Sequence, residues 1–264
     1  MIDGCFTHFD GIGLKTESKL RNLGFNSWED CLSRQQELPF SATRRNYFID
    51  SIKECRFHHK KKDISYFVSK YPPREHWRIL AAYYDRATYF DIETTGLSWY
   101  YSNISVITAF RKGKVYKFLH GENLEDFLEL IEKSEMLVSF NGNCFDIPFI
   151  ERAFNIPEIC CPHVDLRWVS YYLGYRGGLK AIEKAINIER PNSIKDIDGY
   201  EAVNLYYKWE EGDGEARDLL VKYCIADTLS TYILTIRLLN KAGICAGDLT
   251  HDELFKMAMD DKGF

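Results

Sequence analysis

The stretch that most constrains the fold is residues 88–96, which read Thr-Tyr-Phe-Asp-Ile-Glu-Thr-Thr-Gly. Its β-branched and aromatic residues predict a buried strand that ends in a turn. Side chains two positions apart in a strand lie on the same face, so Asp91 and Glu93 should project side by side. Two neighbouring carboxylates repel one another unless a cation lies between them, and hard divalent cations prefer carboxylate oxygen. An edge strand with a solvated acidic pair would have the same pattern, so both interpretations stay open here.

Length and composition limit the possible classes of protein. The 264 residues suffice for one large domain, or one domain with a small appendage, and 45% hydrophobic residues can supply a core. No run of about 18 apolar residues is present, so we expect no transmembrane helix and no membrane partner. No basic and apolar leader is present, so we expect no signal peptide. The eight cysteines include no Cys-x-x-Cys spacing, which argues against zinc ribbons and iron–sulfur sites and favours reduced thiols in the cytoplasm.

The charge is distributed unevenly along the chain. Residues 1–87 contain 15 Lys and Arg against 11 Asp and Glu, whereas residues 88–264 contain 19 against 28. A basic N-terminal segment and an acidic remainder suit a chain that holds an anionic partner at one end and metals at the other. The difference is too small to identify a nucleic-acid protein by itself.

Glycines mark a turn near the start of the chain. Gly11 and Gly13 precede a predicted helix over 15–23. The stretch 9–25 resembles a helix-hairpin-helix motif, in which backbone N–H groups of the hairpin grip a nucleic-acid phosphate. The resemblance implies backbone contacts at Gly11 and Gly13, with Lys15 adding positive charge. A helical hairpin whose glycines only permit a tight turn explains the same residues, so both interpretations stay open.

The following segment, 41–62, combines nine basic residues and histidines with interleaved aromatic residues. Such a segment can follow a single-stranded backbone, but more often it is a solvated helix face, which we favour. From the helix-hairpin-helix resemblance of residues 9–25, we assign 1–62 to a helical, helix-hairpin-helix-like nucleic-acid-binding segment. Residues 63–87, with Pro72-Pro73, are predicted to be a connector.

From residue 88 onward the pattern changes to strands followed by helices. The predicted strands lie at 88–92, 105–111, 114–119 and 136–140. The predicted helices lie at 124–133, about 145–155, 179–187, 199–209 and 214–241. This order predicts an α/β domain with a central sheet.

Two further acidic residues lie where a sheet domain can hold ligands. Asp146 follows the strand 136–140 and comes just before Pro148, which suits the first turn of a helix. Asp227 comes four residues after Tyr223, so both should lie on one face of the last helix. A helix N-terminal aspartate and an exposed Tyr–Asp pair would explain these positions without a site.

Together the acidic residues form three motifs in order. The motifs are Phe90-Asp91-Ile92-Glu93-Thr94-Thr95-Gly96, then Phe140-Asn141-Gly142-x-x-Phe145-Asp146-x-Pro148-Phe149, then Tyr223-x-x-x-Asp227. The set resembles the DEDD, or DnaQ-like, 3′→5′ exonucleases of the ribonuclease H-like superfamily. Its third motif is the tyrosine variant, DEDDy, as in the proofreading domains of family B DNA polymerases. The motifs also look close to a stand-alone exonuclease group in which many members have His in place of Tyr223.

The resemblance implies an α/β, ribonuclease H-like fold with a central mixed five-stranded sheet flanked by helices. A small N-terminal α-helical domain precedes it. The exonuclease domain would span 88–241, and a C-terminal tail would follow at 242–264.

The resemblance also implies a reaction. The enzyme would hydrolyse phosphodiester bonds of DNA or RNA from the 3′ end and release nucleoside 5′-monophosphates. Two divalent cations, Mg²⁺ or Mn²⁺, would be held by Asp91, Glu93, Asp146 and Asp227, and Tyr223 would orient the attacking water. Single-stranded 3′ ends would be the partner. The residues implied for substrate contact are Thr94, Thr95, Leu97, Asn141 and Phe145, and Trp99, Tyr100 and Tyr101 could stack on bases.

Two other functions compete with the exonuclease. One is a non-catalytic module on the same fold that binds nucleic acid, and the other is a structural subunit that recruits an enzyme. The presence of all four carboxylates argues against a degenerate site. Spacing does not decide between DNA and RNA, because that choice depends on a contact to the 2′-OH.

Overall fold

The computed structural model describes residues 1–98 and 100–247. The chain divides into two compact units, Met1–Ala82 and Tyr83–Phe264. The segment 63–87, predicted to be a connector, is largely helical, and as far as Ala82 it belongs to the first unit. The tail predicted at 242–264 lies outside the described residues from position 248 onward.

The first unit is built from short helices. They are α1 (Leu14–Asn22), α2 (Trp28–Ser33), α3 (Ala42–Lys60), α4 (Ile64–Lys70) and α5 (His76–Tyr83), with 3₁₀ turns at Ile2–Gly4, Gln35–Glu37 and Pro73–Glu75. Ser27 begins α2 in a capping box, in which its hydroxyl accepts the Asp30 N–H and the Asp30 carboxylate accepts the Ser27 N–H. Trp28 is buried in the core of the unit and donates its indole N–H to the carbonyl of Cys5 at 3.0 Å.

The glycine turn lies directly ahead of α1. Gly11 has a φ of +73°, which glycine adopts without strain, and its carbonyl accepts a hydrogen bond from Arg44 of α3 at 2.7 Å. Gly13 is the residue before α1, and Lys15 is exposed on its first turn. The element before the turn is the 3₁₀ turn Ile2–Gly4, so among the described residues no α-helix precedes the glycines. Phosphate binding by this turn stays a prediction.

The basic segment forms α3 and the turn after it. Some of its polar groups make contacts within the unit: Arg56 pairs with Glu29 at 3.1 Å, and the Nδ1 of His58 lies 2.8 Å from Asp63. These contacts hold neighbouring helices and turns together. Part of the basic character of α3 is therefore structural.

The second unit contains a mixed sheet of five strands among the described residues. They are β1 (Thr88–Thr94), β2 (Ile104–Arg111), β3 (Lys114–Leu119), β4 (Leu137–Ser139) and β5 (His163–Asp165). The strand order is β3-β2-β1-β4-β5. β1 pairs antiparallel with β2, and β2 with β3, whereas β1 with β4 and β4 with β5 pair parallel. The four strands predicted from sequence correspond to β1–β4, and β5 was missed.

Helices cover both faces of this sheet. They are α6 (Asp126–Glu132), α7 (Asp146–Ala153), α8 (Leu166–Tyr172), α9 (Leu179–Ala185), α10 (Gly199–Glu210) and α11 (Gly214–Lys241). All but α8 were predicted, with ends shifted by a few residues. α11 is long and apolar enough to cross a membrane by length and composition, but 78% of its most apolar stretch is buried within the fold. A helix at the centre of a packed core has this character.

The two faces of β1 contact different partners because its side chains alternate. Phe90 and Ile92 belong to the apolar core that includes the α6 and α7 side chains. On the other face the ring of Tyr89 lies 5.0 Å from that of Tyr232 in α11. Asp91 and Glu93 are on the same face as Tyr89, so the strand directs its carboxylates toward α11.

Candidate active site

Asp91 and Glu93 lie side by side, as the strand alternation predicts. Their carboxylate oxygens and the Sγ of Cys224 all lie within 4.8 Å of one another. Glu93 is buried, and Asp91 is partly exposed. The register of β1 against β2 shifts between Glu93 and Thr94, so the strand bends directly after the second carboxylate.

Asp146 is the first residue of α7 and is 3% exposed. Burial, together with the nearby carboxylates of Asp165 and Asp227, raises the pKa of its carboxyl from 3.8 to about 7. Backbone hydrogen bonds at Asp146 itself and at Ile92 act in the opposite direction. The bond at Ile92 joins the start of α7 to β1, between the two carboxylates of the first motif.

Asp227 and Tyr223 lie four residues apart on α11 and are both buried. Burial raises the pKa of Asp91 well above its usual value, and the charges of Asp227, Asp146 and Glu93 raise it further, in that order. Asp227 and Asp146 act on Glu93 in the same way. The structure therefore brings the four predicted carboxylates close enough to repel one another.

Arg190 is hydrogen-bonded to this cluster, and the charge of Lys180 also acts on Glu93 and Asp227. The guanidinium of Arg190 donates to Asp227 and forms two hydrogen bonds to Glu183, Nε to Oε2 at 2.9 Å and Nη2 to Oε1 at 2.7 Å. The Arg190 and Glu183 side chains are each 5% exposed. The Nη1 of Arg190 is buried and has no hydrogen-bond partner among the described residues. Sequence reasoning missed this triad because Arg190 lies outside the helices and carries no motif.

Tyr223 lies between positive and negative groups. The Lys180 ammonium is 5.1 Å from the centre of its ring, and the Arg190 guanidinium is 5.5 Å from it. Burial raises the pKa of the Tyr223 hydroxyl, and the carboxylates of Asp227 and Glu93 raise it further. The phenol therefore keeps its proton at neutral pH.

Cys224 is a second residue that the sequence analysis did not single out. Its side chain is fully buried, and its thiol donates to the carbonyl and to the Oδ2 of Asp91, at 3.5 and 3.7 Å. Burial and the Asp91 charge raise its pKa well above the usual value, so the group stays an S–H donor. The Thr108 hydroxyl donates to the same sulfur at 3.3 Å. In the sequence, the position of Cys224 directly after Tyr223 in the third motif could have indicated that it lies at the site.

Asp165 is the N-cap of α8, much as Asp146 begins α7, but its carboxylate has a structural role. It is 3% exposed and accepts the backbone N–H groups of Asn141 at 2.8 Å, Asn143 at 3.3 Å and Arg167 at 2.9 Å. Three donors satisfy this carboxylate without a cation. They also fix the loop between β4 and α7 against the end of β5.

The loop after β1 uses its polar groups internally. The hydroxyl of Thr94 donates to the carbonyl of Gly96 at 2.7 Å, and the hydroxyl of Thr95 accepts the N–H of Asn103 at 3.0 Å. Leu97 is 89% exposed. Of the predicted stacking residues, Tyr100 and Tyr101 are exposed, and Trp99 lies outside the described residues.

The other two predicted substrate residues follow β4. The amide oxygen of Asn141 accepts a hydrogen bond from Arg167 at 2.5 Å, and Asn141 has a φ of +67°. Phe145 packs its ring 4.8 Å from that of Phe149, against the core. The structure therefore places Asn141 at the surface of the site and Phe145 partly beneath it.

The sequence model of the RNase_H superfamily matches residues 88–239, which include all four carboxylates and Tyr223. Among solved structures, the chain resembles the family B DNA polymerase from the hyperthermophilic archaeon Pyrobaculum calidifontis, with 15% sequence identity and a TM-score of 0.47. That match covers 64% of this chain and 26% of the polymerase chain. No curated protein matches.

Proposed function

The chain belongs to the RNase_H superfamily, and from this membership and its acidic cluster we propose that it is a metal-dependent 3′→5′ exonuclease. The five-stranded mixed sheet, its flanking helices and the N-terminal helical unit confirm the predicted ribonuclease H-like fold. That fold is of the nuclease type. The proposed reaction hydrolyses phosphodiester bonds of DNA or RNA at single-stranded 3′ ends and releases nucleoside 5′-monophosphates.

The observation that carries the proposal is the convergence of four carboxylates from three elements. Asp146 and Asp227 are 3% and 9% exposed. Besides burial, the charges of Asp227, Asp146 and Glu93 raise the pKa of Asp91, and the charge of Asp227 also raises those of Glu93 and Asp146. Buried like charges are costly unless cations compensate them. A fold that keeps them together is therefore suited to holding divalent cations.

The donor set fits hard divalent cations. Carboxylate oxygens suit Mg²⁺ and Mn²⁺, and the Cys224 thiol, which keeps its proton, acts as a donor to Asp91 and not as a ligand. We assign Asp91, Glu93, Asp146 and Asp227 as the residues that would hold two such ions. When bound, the ions would supply an activated water and neutralise the charge on the phosphate.

Tyr223 would position the attacking water. Its raised pKa means that the phenol is protonated at neutral pH, so it can donate or accept a hydrogen bond but is a poor general base. Lys180 and Arg190, against its ring, would favour the approach of an anionic substrate.

The loops beside the cluster would hold the terminal nucleotide. The Thr94 and Thr95 hydroxyls shape the loop after β1, and Leu97 would offer an apolar contact to a base or sugar. Asn141 and Phe145 would border the cleft on the β4 side. In the first unit, Gly11, Gly13 and Lys15 are proposed to contact a nucleic-acid backbone.

A cleavage assay tests the proposal. We expect 5′-labelled single-stranded oligonucleotides to shorten from the 3′ end in Mg²⁺ or Mn²⁺, and to stay intact in EDTA. DNA and RNA, single- and double-stranded, are supplied in parallel so that the ladder identifies the polymer. The matched variants are Asp227→Asn, which removes a cluster charge from α11, and Asp218→Asn, which removes an exposed charge from the same helix.

Asp218→Asn should cut like the wild type, and Asp227→Asn should not cut. A wild type that binds oligonucleotides but leaves them intact with either metal would contradict the exonuclease and favour the non-catalytic binding module.

A further inference from the structure

A groove of about 840 Å³ in the second unit differs in charge from the unit around it. Its lining includes Arg167 and Arg176 and four aromatic residues, Phe140, Trp168, Tyr171 and Tyr175. No Asp or Glu is among the described residues that line it, although residues 88–264 carry 28 acidic against 19 basic residues. The groove is thus a positive, aromatic surface within an acidic domain.

The aromatic side chains of α8 face solvent. Trp168, Tyr171 and Tyr172 are 38%, 44% and 52% exposed, which is unusual for three neighbours on one seven-residue helix. The Arg176 guanidinium lies 3.6 Å from the centre of the Tyr171 ring, and that of Arg167 lies 5.9 Å from the Trp168 ring. Flat rings and guanidinium planes held in this way can accept further planar groups by stacking.

Two parts of the groove lining are connected along the chain to the acidic cluster. Asn141 follows β4 and belongs to the loop that leads into Asp146. Leu179 also lines the groove, and the next residue, Lys180, places its ammonium 5.1 Å from the ring of Tyr223. A polymer lying in the groove would therefore extend toward the carboxylates.

Two glycines keep part of the wall free of side chains. A Cβ on Gly178 would meet no atom within 4 Å, so the space beside its backbone is open. Gly177 has a φ of +103°, which favours glycine. A sugar-phosphate backbone could therefore approach the protein backbone closely between Arg176 and Leu179.

We propose that this groove binds the single-stranded part of a polynucleotide. Bases stack on Trp168 and Tyr171, and phosphates lie near Arg167 and Arg176. The proposal rests on the proposed function, because it assigns the path by which a 3′ end reaches the acidic cluster. A duplex is a poorer occupant, because its paired and stacked bases do not expose their faces to aromatic side chains.

The test is the affinity of the full chain for labelled 12-nucleotide oligothymidylate and oligouridylate, measured by fluorescence anisotropy in EDTA. We expect Trp168→Ala and Tyr171→Ala to weaken binding roughly 5- to 100-fold, the range for loss of one base–aromatic stack. Tyr207→Ala, which removes a 53% exposed tyrosine from α10 outside the groove, should bind like the wild type. The two oligonucleotides show whether DNA or RNA is preferred, and a duplex of the same length should bind more weakly.

Photo-crosslinking of 5-iodouracil oligonucleotides to the wild type gives a second readout that does not depend on the folding of a variant. Crosslinks mapped by mass spectrometry to Trp168 or Tyr171 support the groove. Crosslinks only elsewhere, unchanged affinity in both groove variants, or a wild type that binds neither polymer would overturn it.

Cleavage of the same oligonucleotides in Mg²⁺ separates the two proposals. If the wild type cleaves and the groove variants bind as tightly as the wild type, only the groove proposal is overturned. If the groove variants bind more weakly but the wild type does not cleave, only the exonuclease proposal is overturned.

Discussion

Glu75 in the first unit and Glu93 in the second are both 8% exposed, but their surroundings are opposite. Glu75 meets the Nε of Arg78 at 2.7 Å and that of Arg74 at 3.8 Å. Glu93 faces the carboxylates of Asp227 and Asp146, which raise its pKa. Glu75 thus has a positively charged partner within hydrogen-bonding distance, whereas the charges that act most strongly on Glu93 are those of other carboxylates.

The difference shows in which unit the folded chain itself compensates the buried charge. A buried carboxylate with a hydrogen-bonded arginine contributes to stability or costs little, whereas clustered carboxylates destabilise the fold until cations arrive. The first unit therefore holds its buried charge in a structural role. The second holds more buried negative charge than its own cations, Arg190 and Lys180, compensate.

The largest effect expected is that of Asp91→Asn on cleavage. Loss of a proposed metal ligand should lower the cleavage rate by about 10³-fold or more, since cations bound there would stabilise the transition state by several kcal/mol. Single-turnover cleavage in Mg²⁺ measures this. Glu75→Gln is the matched control, since it changes a buried carboxylate in the first unit that has an arginine partner. A similar loss of cleavage rate in Glu75→Gln would show that the two units do not differ in function as described.

Arg190→Met should remove the cation that is hydrogen-bonded to the acidic cluster. We expect the metal-free protein to lose about 3 kcal/mol of unfolding free energy, because Asp227 and Glu183 lose a buried partner. Affinity for Mn²⁺ should rise, because a competing cation is gone. Urea unfolding and calorimetric titration measure the two effects. Arg217→Met, which removes a more exposed pair with Glu122 at 2.8 Å, should change neither by much.

Glu75→Gln and Glu93→Gln should shift stability in opposite directions when the protein is free of metal. Glu75→Gln leaves Arg78 without its charged partner, so we expect a loss of about 2 kcal/mol. Glu93→Gln removes a repelling charge, so we expect a gain of about 1 kcal/mol. Urea unfolding in EDTA measures both. Destabilisation of similar size by both substitutions would mean that the two glutamates do not differ as described.

The metal-free protein should become less stable as pH rises from about 4 to about 7. The pKa of Asp146 is about 7 in the folded protein against 3.8 for a free carboxyl, so the folded state binds more protons in this interval. Stability therefore falls with pH, by at most about 1.4 kcal/mol per pH unit for one such group.

Thermal unfolding in EDTA, compared with saturating Mg²⁺, measures this slope. Asp146→Asn should flatten it, whereas Asp198→Asn should not, because backbone N–H groups lower the pKa of that exposed carboxyl. An equal slope in the wild type and Asp146→Asn would show that other groups cause the pH dependence.

Local pattern was enough to predict the elements that carry the four carboxylates. The alternation in 88–94 placed Asp91 and Glu93 on one face, because a strand has a period of two. The four-residue interval between Tyr223 and Asp227 placed both on one face of α11 for the corresponding helical reason. These are short-range rules that need no knowledge of the tertiary fold.

Long-range partners could not be predicted in this way. Arg190 lies 37 residues before Asp227, and no local period links them. β5 has only three residues, and α8 carries large aromatic residues on its exposed side as well as apolar residues on its buried side, so neither shows a clear hydrophobic period. The aromatic groove was missed for that reason, since its wall is α8.

The predicted connector also failed for a physical reason. Pro72-Pro73 indicated a break in structure, but Ile64, Phe67 and Tyr71 are buried and complete the core of the first unit. A proline pair ends a helix without ending a domain. The apolar spacing before it was the better guide.

Diffraction from crystals soaked in Mn²⁺, with anomalous data, tests the central claim most directly. We expect two manganese peaks about 3.5–4 Å apart, with oxygens of Asp91, Glu93, Asp146 and Asp227 about 2.1 Å from one or the other. Soaked crystals of the full chain that show no peak at these carboxylates, or that show any of the four turned away from a bound ion, would contradict it.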